Sequence, residues 1–229
     1  ILKKCTYFIL PNEIRKEPHM SAYKKKLLIV PNITLFDISK STEFNFKGIK
    51  YTLYVNGLLK KDRGVLNLLK AIKDSKAGRI NILATGNIED EHIKQEIMND
   101  KHITYLGYQD HVNNVKYYKQ CRAVFCFYEP SSLINIYAIP RKLFEGMMMG
   151  RPIIINAECL LSRLISKWDI GYICQYDDIE GLRQILEYIN EHPEENEKKG
   201  IKAREIFEKE FSFEEDYPKL IEKLKKVLA

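Results

Sequence analysis

From residue 51 to residue 174, short β-branched or aromatic runs alternate with stretches of helical spacing, and no hairpin signal interrupts them. The runs are Tyr51–Val55, Ile80–Ala84, Ile103–Leu106, Ala123–Tyr128, Pro152–Asn156 and Gly171–Cys174. Between them, residues 63–75, 90–98, 111–120, 140–149 and 160–167 place apolar side chains at i, i+3 and i+4, the period of a helix with one buried face. Strands joined through helices pair in parallel, so the pattern predicts an α/β fold: a Rossmann-like open parallel sheet with helices on both faces. Three further helices are expected over 179–191, 194–211 and 213–228, and Gly150 stands where a helix C-cap belongs. Asn56-Gly57 and Thr85-Gly86-Asn87 read as the breaks that end the first two strands.

Residues 1–50 do not continue this pattern. Thr6–Leu10 and Lys26–Val30 are strand-like and each is followed by Pro-Asn, which suggests a partial βαβ unit over residues 1–32. Residues 33–50 are polar, lack periodicity and read as a linker, leaving 51–229 as the main domain. There are no internal repeats and no low-complexity segment.

Composition excludes several classes. Of 229 residues, 45% are hydrophobic and 30% charged, enough for a packed core and too apolar for a disordered chain. No apolar run approaches the ~20 residues of a membrane-spanning helix, and the first residues lack the apolar stretch of a secretory signal. The five cysteines are odd in number and lack CxxC spacing, so we expect reduced, mostly buried thiols, neither a disulfide framework nor a zinc site, in a cytoplasmic setting. The net charge of +6 is uneven: residues 1–75 hold 15 Lys and Arg against 6 Asp and Glu, and the remainder 22 against 25. A basic half suits nucleic acid, anionic lipid or phosphorylated small molecules, and equally a solvated lysine-rich surface.

In an open parallel sheet, ligands bind beyond the carboxyl ends of the strands, near the point where strand order reverses. Candidate loops are 56–62, 85–89, 107–110, 129–139 and 156–160. The first combines Gly57 with Lys60, Lys61 and Arg63 ahead of a helix, an arrangement that can offer backbone N–H groups and a guanidinium fork to phosphate. It also fits a plain turn with a solvated arginine. No G-x-G-x-x-G follows the Tyr51 strand and no G-x-x-x-x-G-K-[ST] occurs, which argues against dinucleotide dehydrogenases and P-loop nucleotidases.

The helix beginning Pro140-Arg-Lys-Leu-Phe-Glu145 carries Leu143, Phe144, Met147 and Met148 on one face, expected to pack on the sheet. Lys142 and Glu145 are expected on the other side. There the carboxylate could accept both hydroxyls of a ribose, or the two could form an exposed ion pair worth a few tenths of a kcal/mol.

Taken together, the chain from about Tyr51 to Leu228 resembles the C-terminal, donor-binding half of a GT-B glycosyltransferase, close to the large retaining family 4 (glycosyl transferases group 1). The residues carrying the likeness are Asn56-Gly57 with Arg63-Gly64, Ile82 to Gly86, Ile103 to Tyr108, Val115 to Tyr118 before Ala123–Tyr128, Pro140 to Gly146, Gly150-Arg-Pro-Ile-Ile-Ile155, and Gly171-Tyr-Ile. The resemblance implies that Glu145 holds the ribose hydroxyls of a sugar nucleotide, that Arg63 and Gly57 meet its diphosphate, and that Tyr108 lines the base. It places the donor sugar against residues 129–139, with Glu129, Asn135 and Tyr137 on that side. Lys142 is assigned near the phosphates or that loop, and Lys60 or Lys61 stands in for a second basic residue, because Leu58 occupies the usual place. The family's E-x₇-E pattern is broken, with Tyr137 where its first glutamate would stand.

The implied reaction transfers a sugar from a nucleoside-diphosphate sugar to an acceptor hydroxyl, in polysaccharide or glycolipid synthesis, without a metal or other cofactor. The alternatives are a nucleotide-sugar 2-epimerase and a non-catalytic nucleotide-sugar-binding subunit. The acid–base group and acceptor site are expected on an N-terminal domain of which residues 1–32 are the end, so the chain by itself is expected to bind donor without turnover. Partners expected are the nucleotide sugar, that N-terminal domain and a membrane surface or lipid-linked acceptor at its inner face, with no nucleic acid.

Overall fold

The computed structural model describes residues 8–10, 27–30, 46–73, 80–211 and 213–228. Strands β1 (Phe8–Leu10) and β2 (Leu27–Ile29) form a parallel pair in the register Phe8↔Leu27. The segment expected to connect them, and most of the expected linker, lie outside the described residues.

The remaining strands build one six-stranded sheet, parallel at every pairing: β3 (Tyr51–Leu59), β4 (Ile82–Ile88), β5 (Ile103–Tyr105), β6 (Cys121–Cys126), β7 (Ile153–Asn156) and β8 (Gly171–Cys174). Their order is β5-β4-β3-β6-β7-β8. The chain therefore winds outward from β3 in one direction, returns to the centre at β6, and winds outward in the other. The inner strands β3, β4, β6 and β7 are buried on both faces, and their alternation sorts the core into two. Tyr54, Val124, Cys126, Ile153 and Ile155 face one side; there they pack with Leu143, Phe144 and Met147 of α5 (Arg141–Met148), with Ile165 of α6 (Ser162–Trp168), and with Ala203 and Phe207 of α8 (Pro193–Glu210). Leu53, Val55, Ala123, Phe125 and Ile154 face the other; there they pack with α1 (Val65–Lys73), α2 (Glu91–Asn99) and α7 (Ile179–Glu191). Two-sided burial is what near-continuous apolar strands require. The helices α3 (His111–Tyr118), α4 (Leu133–Ile136) and α9 (Phe213–Leu228) complete the order.

The architecture agrees with the sequence reading, with three corrections. Neither Asn56-Gly57 nor Thr85-Gly86-Asn87 ends its strand: β3 runs on to Leu59 and β4 to Ile88, paired as far as Leu59↔Ile88. The register is kept because Gly57 lies opposite Gly86, and a Cβ on Gly86 would land on the Gly57 carbonyl oxygen. Residues 129–139, read as a loop, contain the single turn α4, capped by the Ser132 hydroxyl accepting from Ile134 N–H. Finally, α5 is buried almost all round: Glu145 is 4% exposed and does not lie on a solvent face. This helix rides close over β6 and β7, since a Cβ on Gly146 would come within 2.7 Å of Ile153 Cδ1 and 3.1 Å of Val124 Cγ2.

Candidate functional site: the crevice between β3 and β6

Strands β3 and β6 are neighbours at the centre of the sheet, and the chain leaves them toward opposite edges. Their carboxyl ends therefore border the crevice that a strand-order reversal creates. Beyond β3 the chain makes a 3-10 turn over Lys61–Arg63 that ends at Gly64, where φ is 69°. A Cβ at Gly64 would sit 2.6 Å from Phe127 Cβ, so glycine lets this turn press against the end of β6. The turn is tied down from two sides: Glu129 N–H donates to Asp62 O at 3.0 Å and the Tyr176 hydroxyl to Lys61 O at 2.9 Å.

Arg63 leaves this turn toward the crevice. Its Nη1 donates to Asn135 Oδ1 at 2.8 Å, its Cζ lies 4.7 Å from the Tyr128 ring centroid, and Asp62 Oδ2 is 3.8 Å away. A guanidinium lying over a ring and hydrogen-bonded at one nitrogen keeps its other N–H groups in a set direction. Asn135 is itself fixed, donating from Nδ2 to Glu129 O at 2.9 Å. Tyr128 is fixed by Asn156, whose amide accepts from Tyr128 N–H at 2.9 Å and donates to Tyr128 O at 3.0 Å. That reciprocal pair extends the β6–β7 pairing with a side chain in place of a strand. Asn156 also donates to Glu158 Oε2 at 2.9 Å. Burial opposes ionisation of Glu158, but this bond and the Tyr176 N–H outweigh it and hold the carboxyl below its usual range.

On the other side of the crevice, Glu145 Oε2 accepts from the Tyr118 hydroxyl at 2.7 Å, and its Oε1 is 3.4 Å from Arg141 Nε. Lys142, one turn earlier, is half-buried. Its Nζ donates to Asn56 O at 2.6 Å and to Phe125 O at 3.4 Å, joining the ends of β3 and β6 from beneath. This too corrects the expected outward placement. Burial lowers the lysine's proton affinity, and Arg63 lowers it further. A cation bonded only to carbonyls at the floor of a crevice favours an anion above it.

The structure thus brings Arg63, Asn135, Lys142 and Glu145 to one pair of strand ends. Gly57 is exposed at φ 100°, with open space where a side chain would be. Lys61 is exposed on the turn, and Glu129 contributes its backbone carbonyl to Asn135. Tyr137 closes α4 through its N–H to Leu133 O at 2.9 Å. Tyr108 is 72% exposed beyond β5, two strands out from β3, and belongs to the rim. Residue spacing did not reveal Asn56, Tyr118, Tyr128 or Asn156, because their partners lie far away in sequence; the hydroxyl of Tyr118, in a run otherwise read as helix, was the one available hint. Among the described residues, no three His, Cys, Asp or Glu side chains gather as a metal-binding group, and no helix is long and apolar enough to cross a membrane.

Comparison with known proteins adds the following. The sequence pattern of the family described as Glycosyl transferases group 1 matches residues 37–206. No curated protein matches the chain significantly. Among solved structures, a glycosyltransferase from Rickettsia africae superposes with a TM-score of 0.72 at 18% identity, covering 97% of this chain and 64% of that one. HepE of Anabaena, in complex with UDP, gives 0.71 at 15%, with the same coverages. The C-terminal domain of a glycosyl transferase group 1 family protein from Francisella tularensis gives 0.59 at 13%, covering 72% and 87%. The chain spans less than two thirds of the length of the first two structures, and at these identities the likeness is one of fold.

Proposed function

Because the chain belongs to the glycosyl transferases group 1 family, we propose that it binds a nucleoside-diphosphate sugar in the β3–β6 crevice and serves transfer of the sugar to an acceptor hydroxyl. The observation that carries this reading is the buried Glu145 carboxylate, oriented by Tyr118 and set one helical turn from Lys142, at the same strand ends as Arg63. A carboxylate so placed accepts the two ribose hydroxyls. The diphosphate then runs toward Arg63 above Lys142, with Lys61 and the open backbone at Gly57 beside it. The donor sugar lies against α4 and Asn135, with Glu129 and Tyr137 on that side, and the base lies toward Tyr108.

In the reaction the bond from the anomeric carbon to the β-phosphate oxygen breaks and a bond to the acceptor oxygen forms. The acceptor proton leaves to a base, and the diphosphate departs with the electron pair. Offsetting that growing charge is the main task of this side of the cleft, and fixed cations do it without reorganising. Arg63 and Lys142 take that role here, so no metal enters the scheme. The acceptor site lies, in this reading, on an N-terminal domain that includes β1 and β2. The basic residues 1–75 suit a lipid-linked acceptor at the cytoplasmic face of a membrane and a place in polysaccharide synthesis. The UDP bound by HepE makes UDP the first ligand to try.

Calorimetric titration with UDP, GDP and their sugar conjugates, with and without EDTA, tests the reading alongside Glu145→Ala. We expect one nucleotide class to bind regardless of EDTA and to weaken at least about tenfold in the variant, the worth of about 1.4 kcal/mol. Binding that the substitution leaves untouched would remove Glu145 from the site.

A further inference from the structure

Two features of the sequence have no part in the donor contacts just assigned: the segment ending at Tyr118 and the Gly150-Arg151-Pro152 motif. The structure joins them. Tyr118 is fully buried, and its hydroxyl accepts from Asn56 Nδ2 at 2.9 Å while donating to Glu145 Oε2 at 2.7 Å. A phenol has one proton to give, so a donor already at its oxygen commits that proton to Glu145. Every attachment of the ring is fixed. Arg151, 1% exposed, donates from Nε to Tyr118 O at 2.9 Å and from Nη2 to Lys119 O at 3.1 Å, capping the carboxyl end of α3. Its guanidinium lies 4.9 Å from the Phe46 ring centroid. Tyr54 packs edge-on against the phenol with centroids 4.7 Å apart, and Asn56 is held in the β3–β4 register and by Lys142.

One carboxylate oxygen of Glu145 is therefore engaged by an immobile donor. The other faces Arg141, whose side chain is 55% exposed and able to swing aside. We propose that Tyr118 is a positioning residue for ribose recognition: through Asn56 on one side and Arg151 on the other, it locks the Glu145 carboxylate in the orientation that meets the ribose diol. The proposal rests on the donor-site reading above. Burial, then the adjacent Glu145 charge, raise the Tyr118 pKa well above the ordinary phenol value, which keeps the hydroxyl a donor.

A purely structural tyrosine would affect all ligands alike, whereas a positioning tyrosine affects only ligands that carry the diol. The wild-type protein, Tyr118→Phe and Glu145→Gln are titrated with UDP and 2′,3′-dideoxy-UDP, or with the guanine pair if GDP is the ligand bound. Tyr118→Phe is expected to reduce the preference for UDP over its dideoxy analogue by about tenfold, about 1.4 kcal/mol, with dideoxy-UDP binding unchanged. Equal weakening of both ligands overturns the proposal. So does an unchanged preference in Tyr118→Phe when Glu145→Gln abolishes it, and in that case the donor site stands. A full preference retained in Glu145→Gln, or no nucleotide binding by the folded wild-type protein, removes the donor-site reading and the proposal with it. Should Tyr118→Phe fail to fold, Asn56→Ala removes the bond that commits the phenol proton while keeping the ring; a smaller loss of the same preference is then expected, and no loss overturns the proposal.

Discussion

Arg63 shows what a single side chain does in this site and how it came to be placed. Its guanidinium is positioned by the Tyr128 ring and Asn135 together. Arg63→Lys keeps the charge and loses the fork and the stacking, so UDP should bind at least about tenfold more weakly while uridine is hardly affected; comparing the two ligands by calorimetry checks this. An equal loss for both would mean that Arg63 does not face phosphate. The candidate role of Arg63 was legible in sequence because it stands beside a glycine after a strand. That of Asn135 as its holder was not, because 72 residues separate the pair and only the folded sheet brings them together.

The instructive elements are β3 and β4, which run side by side through two glycines. Sequence rules read Asn56-Gly57 and Thr85-Gly86 as strand ends, since isolated turn residues carry that meaning. In the fold Gly86 leaves room for the Gly57 carbonyl of the neighbouring strand, and pairing continues to Leu59 and Ile88. Gly86, at φ 125°, has no space for a side chain, while Gly57, at φ 100°, faces open space. Gly86→Ala should cost about 2–4 kcal/mol by combining strain with a backbone clash, and Gly57→Ala about 1–2 kcal/mol from strain alone. Urea unfolding of the two variants measures the difference, and equal costs would refute the close approach. The helix α5 taught the converse lesson. Its spacing correctly put Leu143, Phe144, Met147 and Met148 inward, but amphipathic reasoning assumed a solvent face where the sheet and α8 leave almost none. Buried polar groups with distant partners are where periodicity stops being informative.

At the scale of the molecule, the alternation of strands and helices made the parallel sheet legible, and the chain's return to its centre at β6 placed the crevice. Burial on both faces of that sheet has a consequence for pH. It raises Cys126 from 9.0 to about 11 and Cys159 and Cys174 to about 12, and it raises Cys121 and several tyrosines as well. Between pH 9 and about 11 the unfolded chain releases protons that the folded chain keeps, so stability present below pH 9 is lost as pH rises through the folded values. Lys142 and Arg151, both lowered by burial, act the other way, but these two bases are outnumbered. Urea midpoints under reducing conditions should therefore fall steadily from pH 9 to about 11; a flat profile would mean the thiols are solvated. One side chain links this architecture to the lifetime of the material. Asn156 is fully buried and acts as a strand partner for Tyr128. Hydrolysis of its amide would remove the donor to Tyr128 O and set a second carboxylate against Glu158. Spontaneous deamidation needs the following backbone nitrogen to attack the side-chain carbonyl, and Ala157 N–H is committed to Cys174 O at 2.8 Å, so the reaction would keep time with local unfolding, and stored protein would age from the support of Arg63 outward.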